Sequence, residues 1–276
     1  MPSQPLVSVC IPSYNSEGFI ATTLESVLSQ KFVDFELVIA DDKSTDRTVS
    51  IIKGFNDPRI RLIENEQNLG LVRNWNHVLS CARGEFVKLL GDDDALYPEC
   101  LARQVRALQH TANANAVLAI CNRNVINARN EVVMRRKFPF GPGPVSGRKL
   151  IRNSIRWGSN LIGEPVVGLF RRGELNHNAM GDPSNPYAAD LALWAELLKH
   201  GDAFVDPDYL AAFRISRAKA SAKIGRRQAA YFRHFVRAMR RDSFYRISLL
   251  DMVPGYVLSA QWCLLRNLFI YSRSAC

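Results

Sequence analysis

Two hydrophobic periodicities alternate along the chain between residues 6 and 121. Short, nearly continuous apolar runs are typical of buried strands, whereas apolar residues three or four positions apart are typical of amphipathic helices. The strands are predicted at residues 6–11, 35–40, 60–63, 85–90 and 116–121, and the helices at residues 19–30, 44–54, 71–82 and 101–110. This alternation predicts an α/β fold, with a mostly parallel sheet covered by helices on both faces.

The pattern is less regular in the second half of the chain. Residues 138–144, which read Phe-Pro-Phe-Gly-Pro-Gly-Pro, have the composition of a loop. Beyond them we predict a strand over 164–172, a helix over 187–200 and a late strand over 209–215. No internal repeat is visible.

Polar clusters follow three of the predicted strands. They are residues 14–15, 41–42 and 92–94. Ligands of open α/β sheets bind beyond the carboxyl ends of the strands, so these clusters predict one binding site. Ser44 and Asp46 are placed to cap the next helix, which leaves residues 41–42 available to accept hydrogen bonds from a ligand.

The run Asp92-Asp93-Asp94 has two interpretations. Three adjacent carboxylates repel one another unless a cation or solvent offsets the repulsion. A divalent ion held by one or two carboxylates and by substrate phosphates is one solution, and a solvated acidic turn is the other. The position at the end of a strand expected to be internal favours the metal.

Three further candidates also have structural alternatives. Tyr14 is suited to stacking on a base, although filling the core is the more common role. Arg73 is suited to reaching a base or a phosphate, whereas most arginines lie on the surface. Asp190 opens the helix predicted at 187–200, where the helix dipole stabilises a carboxylate; staying ionised is also what a general base requires. The sequence leaves each pair open.

Composition and charge limit the functional classes. The 276 residues are 47% hydrophobic and carry a formal net charge of +10. Such a chain is long enough for one large domain with a small appendage, and its charge favours an anionic partner. Six scattered cysteines without a C-x-x-C pair favour a reducing, cytoplasmic location. We expect neither a signal peptide nor a membrane-spanning helix.

The C-terminal region is the most basic part of the chain. Basic residues recur from Arg217 onward, and apolar residues lie among them at helical spacing. One interpretation is an amphipathic stretch that lies on an anionic membrane, and the other is a helical cap with its basic face in water. The basic residues are Arg217, Lys219, Lys223, Arg226, Arg227, Arg233, Arg237, Arg240, Arg241 and Arg246.

Several motifs in one order resemble the family 2 glycosyltransferases with the GT-A fold. They span about residues 6–220, and their order is far more specific than any one of them. The matching segments are residues 7–15, 24–30, 36–46, 68–70, 84–86 and 90–98. The resemblance implies a GT-A domain over 1–220, with a nucleotide-sugar half (1–125) and an acceptor half (126–220), followed by a basic helical extension (221–276).

The resemblance also implies roles for individual residues. It places Asp190 as the catalytic base and Asp93 and Asp94 at a Mg²⁺ or Mn²⁺ ion, with Asp93 favoured. The nucleotide contacts it implies are Pro12, Tyr14, Asn15, Glu17, Asp41, Asp42, Arg73 and Asp92, and the acceptor contacts are Trp157, Asn160 and Glu164. The chain departs from the family pattern at Gly91, which replaces an acid, and at Ser216, where a histidine near the metal is common.

The activity implied is inverting transfer of a sugar from a nucleoside-diphosphate sugar, most simply a UDP-sugar. The acceptor would be a hydroxyl of a saccharide or a lipid-linked carrier, in surface polysaccharide or glycolipid synthesis at the inner face of the membrane. A metal-dependent nucleotidyltransferase and a nucleotide-sugar-binding protein without turnover are the alternatives. Nucleic-acid binding is disfavoured because the recognised modules are absent.

Overall fold

The computed structural model describes residues 4–176, 178–215 and 227–273 of the chain. The strands are β1 (Val7–Ser13), β2 (Phe35–Asp41), β3 (Ile60–Glu64), β4 (Phe86–Leu89), β5 (Ala95–Leu96), β6 (Ala116–Ile126), β7 (Val132–Arg136), β8 (Gly143–Val145), β9 (Gly168–Arg171) and β10 (Asp202–Arg214). The longer helices are α1 (Ile20–Leu28), α2 (Thr48–Lys53), α3 (Leu71–Ser80), α4 (Cys100–Gln109), α5 (Gly147–Arg156), α6 (Ala189–Leu197), α7 (Gln228–Arg241) and α8 (Leu249–Arg273).

The strands form one ten-stranded sheet in the order β3-β2-β1-β4-β9-β6-β10-β5, with β7 on β6 and β8 on β10. Pairing is parallel from β3 through β4 and between β6 and β10, and β9 lies antiparallel between β4 and β6. Most paired residues are therefore in parallel ladders, and the predicted α/β class is confirmed. The carboxyl ends of β1, β2 and β4 lie side by side at one edge of the sheet.

The central strands are buried on both faces, which explains their nearly continuous apolar sequences. Every residue of β1, β4 and β6 is buried. Lys88 in β4 is charged although it is fully buried, and its ammonium donates to Gln104 Oε1 at 2.9 Å. That hydrogen bond partly offsets the cost of removing the side chain from water.

Several predicted boundaries were wrong. The strand expected over 164–172 is a 3₁₀ turn at Pro165–Val167 followed by the short β9. The helix expected over 187–200 is limited to α6, and the late strand begins seven residues earlier than expected, at Asp202. The helix expected from residue 44 begins at Thr48, because Ser44 binds Asp41 instead of capping the helix, and Asp46 Oδ1 accepts from Thr48 N at 2.9 Å.

The last helix, α8, packs onto α5. Asp251, in the first turn of α8, is fully buried and its carboxylate lies 3.0 Å from Arg152 and 2.8 Å from Arg156. A Cβ atom added at Gly255 would lie only 1.9 Å from the carbonyl oxygen of Ile155, so α8 crosses α5 at a distance that only glycine permits. Among the helices that the structure describes, none is long and apolar enough to cross a bilayer.

Protonation of Asp251 is expected to loosen this contact. Burial by itself would raise the pKa of Asp251, but hydrogen bonds from Ser248, Arg152 and Arg156 prevail and lower it from 3.8 to about 2. A depressed folded-state pKa means that the stabilisation is complete above about pH 4 and is lost as the pH falls towards 2. The Asp251→Asn variant should lose about 1.5–3 kcal/mol of unfolding free energy at pH 7.

Urea unfolding followed by tryptophan fluorescence between pH 2 and pH 7 measures this effect. The difference in stability between the two proteins should shrink at acid pH, since the wild-type carboxylate is then protonated too. A difference that stayed constant down to pH 2 would show that the charge of Asp251 is not what holds α8.

Candidate active site

The loops after β1 and β2 are hydrogen-bonded into one unit. Asp42 N donates to Ser13 O at 2.8 Å, Asn15 N donates to Ser44 Oγ at 2.9 Å, and Thr45 N donates to Asn15 Oδ1 at 2.8 Å. Asn15 has a φ of 49°, a left-handed conformation that asparagine tolerates better than most residues. The two loops therefore hold each other in place.

The loop after β4 joins this unit through its acidic residues. Tyr14 N donates to Asp92 Oδ2 at 3.1 Å, and Thr23 Oγ1 lies 3.1 Å from Asp92 O and 2.8 Å from Asp94 O. The Tyr14 side chain is 50% exposed, so it is not the core residue that the alternative interpretation required. The three polar clusters thus converge at the carboxyl edge of the sheet.

Asp41 and Asp42 are buried and accept hydrogen bonds from neighbouring loops. Asp41 accepts from both the backbone N and the hydroxyl of Ser44, at 2.8 and 2.5 Å. Asp42 accepts from Leu69 N at 2.7 Å and from Gly70 N at 2.9 Å. These bonds fix the start of α3, where Arg73 is exposed in the first turn. Asp42 therefore determines where Arg73 is presented.

A buried arginine lies behind the acidic triple. Arg214, at the end of β10, is 1% exposed, and its Nε donates to Asp93 O at 2.7 Å while its backbone N donates to Asp94 Oδ1 at 2.9 Å. The guanidinium also donates to Asn127 O and to Asn130 Oδ1, each at 2.6 Å. Burial lowers the pKa of Arg214, and the charges of Asp93 and Asp94 oppose that shift. A fixed cation therefore offsets part of the carboxylate repulsion.

The carboxylates of Asp93 and Asp94 turn towards the backbone at Gly91. A Cβ atom added at Gly91 would lie 2.9 Å from Asp94 Oδ2 and 3.4 Å from Asp93 Oδ1. The glycine at the family's first acidic place thus makes room for the two following carboxylates. Hard oxygen donors of this kind suit Mg²⁺ or Mn²⁺ when substrate phosphates complete the coordination.

The part of the chain that the structure describes does not form a closed metal cage. Across residues 4–176, 178–215 and 227–273, no group of three or more His, Cys, Asp or Glu side chains is arranged to hold an ion. Asp93 and Asp94 offer two carboxylates at this loop, and a diphosphate would supply further oxygen ligands to a divalent ion. Ser216, which replaces the histidine of the family pattern, lies outside the described residues.

Asp190 lies in the first turn of α6, partly exposed, and α6 is anchored by Trp194. Trp194 is fully buried, and its indole N–H donates to Gly163 O at 2.8 Å. A Cβ atom added at Gly168 would lie 2.6 Å from the Trp194 ring, so the helix packs closely on β9. The position of Asp190 is consequently fixed by the core.

The predicted acceptor residues lie between the end of α5 and Glu164, in a segment that includes Gly163, the hydrogen-bond partner of Trp194. Asn160 Oδ1 accepts from Ile162 N and Gly163 N, both at 3.1 Å, so its amide shapes the loop. Glu164 forms an ion pair with Arg123 at 2.5 Å. Trp157 ends α5, is 52% exposed and accepts from the indole N–H of Trp262 in α8. The structure thus brings Asn160 and Glu164 into one loop and places Trp157 beside α8.

Sequence reasoning missed Thr23, Arg123 and Arg214 as parts of this region. Thr23 lies within the helix predicted over 19–30, and Arg123 follows the strand predicted over 116–121, so neither position carried a functional signal. Arg214 lies in the strand predicted over 209–215, and the sequence assigns it no role. Its four hydrogen-bond partners are 84 to 121 residues away in sequence, so periodicity carries no signal for them.

The family assignment follows from comparison with known sequences. The sequence model described as glycosyl transferase family 2 matches residues 8–172, and this chain belongs to that family. It is 30% identical over 200 residues to the putative teichuronic acid biosynthesis glycosyltransferase TuaG of Bacillus subtilis, covering 72% of this chain and 74% of that protein. It is 34% identical over 148 residues to the Escherichia coli enzyme WfgD, a UDP-Glc:alpha-D-GlcNAc-diphosphoundecaprenol beta-1,3-glucosyltransferase, covering 54% of this chain and 56% of that protein.

Solved structures share the fold. TarS 1-349 of S. aureus in complex with UDP-GlcNAc matches with a TM-score of 0.66 at 18% identity, covering 97% of this chain and 73% of that chain. The mannosyltransferase PcManGT of Pyrobaculum calidifontis, in complex with GDP-Man and Mn²⁺, matches with a TM-score of 0.61 at 20% identity, covering 99% of this chain and 76% of that chain. The expected GT-A fold and family 2 glycosyltransferase class are confirmed.

Proposed function

We propose that this protein is a metal-dependent, inverting family 2 glycosyltransferase that uses a UDP-sugar. The acceptor is a hydroxyl of a saccharide or of a lipid-linked carrier, in the synthesis of a surface polysaccharide or glycolipid. The observation that carries the proposal is the hydrogen-bonded convergence of the loops after β1, β2 and β4, with Asp92 bonded to Tyr14 N. No nucleic acid is a substrate in this proposal.

The donor site combines a stacking surface with hydrogen-bond acceptors. Tyr14 offers a half-exposed ring to the base. Asp41, Asp42 and Asp92 supply carboxylates at the base and ribose, and Arg73 supplies a cation at the base or a phosphate. Pro12, Asn15 and Glu17 hold the loop that carries Tyr14. Glu17 does this by pairing with Arg47 at 3.1 Å.

Asp93, assisted by Asp94, holds Mg²⁺ or Mn²⁺ together with the diphosphate in this proposal. The bound ion would stabilise the negative charge that develops on the leaving nucleoside diphosphate. Arg214 keeps the acidic loop in place from behind through Asp93 O and Asp94 Oδ1. A relative of the same fold is described with GDP-Man and Mn²⁺, which supports a divalent ion for this chain.

Asp190 is the general base of the proposed reaction. Its carboxylate takes the proton of the acceptor hydroxyl as that oxygen attacks the anomeric carbon opposite the diphosphate. The new glycosidic bond forms as the bond to the diphosphate breaks, so the anomeric configuration inverts. The α6 helix dipole supports the ionised carboxylate, and the Trp194 anchor fixes its position.

The proposed acceptor site lies around Trp157, Asn160 and Glu164. The name of the E. coli relative includes a diphosphoundecaprenol-linked acceptor. A lipid-linked acceptor would require this chain to act at a membrane surface. We therefore place the enzyme in the cytoplasm, peripherally bound to the inner face of the membrane.

Calorimetry with nucleotides tests the donor site. UDP and UDP-sugars should bind at least tenfold more tightly in the presence of Mn²⁺ than in its absence, because the ion bridges the protein carboxylates and the diphosphate. GDP and ADP serve as controls for the base. Equal affinity for all three diphosphates with and without Mn²⁺ would contradict the proposal. Release of pyrophosphate during turnover would identify a nucleotidyltransferase instead.

A further inference from the structure

Helix α8 is apolar on two opposite faces, although only one of them is covered. The covered face contains Met252, Gly255, Ser259 and Cys263, all buried at a spacing of three or four residues. The opposite face is exposed, and its large apolar residues are Leu250 (81%), Val253 (60%), Val257 (57%), Leu264 (67%) and Leu265 (54%). A helix that is apolar all round is normally buried all round, so this face indicates an apolar partner.

A basic groove runs between α7 and α8. It has a volume of about 500 Å³ and is lined by Arg237, Arg240, Arg241, Met252 and Tyr256. None of these five residues is acidic, and Arg240 reaches across to lie 3.9 Å from the Met252 sulfur. Three guanidinium groups on one groove suit phosphate groups, which they bind through paired hydrogen bonds.

The positive charge of this region is not neutralised within it. Between residues 227 and 265 the chain has six arginines and two aspartates. Asp251 is paired with Arg152 and Arg156 of α5, and Asp242 is paired with Lys199 at 2.9 Å. Both acids therefore pair with residues outside the two helices, and neither of them lines the groove.

Two tryptophans border the exposed face. Trp157 is 52% exposed and Trp262 is 43% exposed, and they are joined by a hydrogen bond of 3.0 Å from the indole of Trp262 to Trp157 O. Tryptophan is enriched where proteins meet the headgroup region of a bilayer, since its ring is apolar and its N–H is polar. The apolar face, the arginine groove and the tryptophan pair thus all involve helix α8.

We propose that these three features form one docking surface for an anionic phospholipid bilayer. The exposed face of α8 lies in the interface with its side chains among the acyl chains, and Arg237, Arg240 and Arg241 bind lipid phosphates from the groove. This inference rests on the proposed membrane-surface function and names the residues that carry it. A second copy of the chain is a less suitable occupant, because a symmetric contact through α8 would bring two arginine grooves together.

Flotation of the full chain with liposomes tests the surface. Vesicles of phosphatidylcholine with 30% phosphatidylglycerol should carry the protein at about 50 mM salt, and pure phosphatidylcholine vesicles should carry much less. The triple variant Arg237→Gln/Arg240→Gln/Arg241→Gln should lower the partition coefficient for anionic vesicles by roughly 100-fold. The variant Val253→Ser/Val257→Ser/Leu264→Ser should lower partitioning to both kinds of vesicle, and since these side chains are exposed, folding should be retained.

A matched control is Val33→Ser. Val33 is 73% exposed and lies in the loop between α1 and β2, so this variant should leave flotation unchanged. Absence of wild-type flotation on anionic vesicles at low salt would overturn the proposal. So would a dimer in light scattering that the serine variant converts to a monomer. The affinity for a UDP-sugar is measured in parallel without liposomes. Vesicle binding without nucleotide binding would contradict the proposed enzymatic function but not the docking surface. Nucleotide binding without vesicle binding would contradict the docking surface alone.

Discussion

Replacing Asp190 with asparagine should slow sugar transfer by roughly 10²–10⁴-fold while leaving nucleotide affinity within a factor of two. Asparagine has nearly the same shape, so the anchor of α6 through Trp194 and Gly163 is retained. What the variant loses is a carboxylate able to accept the proton of the acceptor hydroxyl. Transfer is measured as nucleoside diphosphate released in the presence of acceptor, and binding is measured by calorimetry with the donor and Mn²⁺.

Glu196→Gln on the same helix is the matched control. It removes one carboxylate six residues further along α6, where Glu196 pairs with Lys199 at 3.0 Å. That variant should keep at least half of the wild-type rate. Near-normal turnover by Asp190→Asn would remove Asp190 from the role of base, and a matching loss in both variants would indicate a general effect of charge on α6.

The convergence of the three polar clusters was predictable because the strands that precede them are buried on both faces. Strands of that kind are continuous apolar runs, so the polar residues that end them stand out as Tyr14, Asp41 and Asp92. Parallel pairing then brings those ends to one edge without any further information. The hydrogen bond from Tyr14 N to Asp92 Oδ2, across 78 residues of sequence, is the physical outcome.

The second half of the chain was less predictable because its helices and strands are short or partly polar. Helix α5 was not predicted, although its buried residues recur at helical spacing, because only three of them, Leu150, Ile151 and Ile155, are large and apolar. Strand β9 is four residues long, and its antiparallel position between β4 and β6 depends on partners far away in sequence. Periodicity describes one face of one segment and carries no information about the partner.

Arg214 supplies a physical reason for ranking the carboxylates, which the sequence ranks only through the family resemblance. Their environments differ only after folding: Asp94 Oδ1 accepts from Arg214 N, whereas Asp93 contributes its backbone oxygen to the guanidinium. The hydrogen bond to Asp94 ties the acidic loop to β10 and gives that carboxylate a structural task. In Asp93 it is the backbone oxygen that binds Arg214, and this difference favours the Asp93 carboxylate as the proposed metal ligand.

The pair Asp93→Asn and Asp94→Asn separates these two tasks. Asp93→Asn should abolish the Mn²⁺ dependence of UDP binding, lowering affinity in Mn²⁺ by at least tenfold, because a neutral amide is a poor ligand for a hard divalent ion. Without metal the same variant should bind UDP as well as or better than the wild type, since one charge that repels the diphosphate is gone. Asp94→Asn should retain the Mn²⁺ dependence, because asparagine keeps the oxygen that accepts from Arg214 N.

Calorimetric titrations of UDP with and without Mn²⁺ on all three proteins measure this, and thermal unfolding checks that each is folded. Asp93 is only 8% exposed and its charge supports the buried guanidinium of Arg214, so a modest loss of stability in Asp93→Asn is expected. Undiminished Mn²⁺ dependence in Asp93→Asn together with its loss in Asp94→Asn would exchange the two assignments. Retained metal dependence in both variants would place the ion elsewhere.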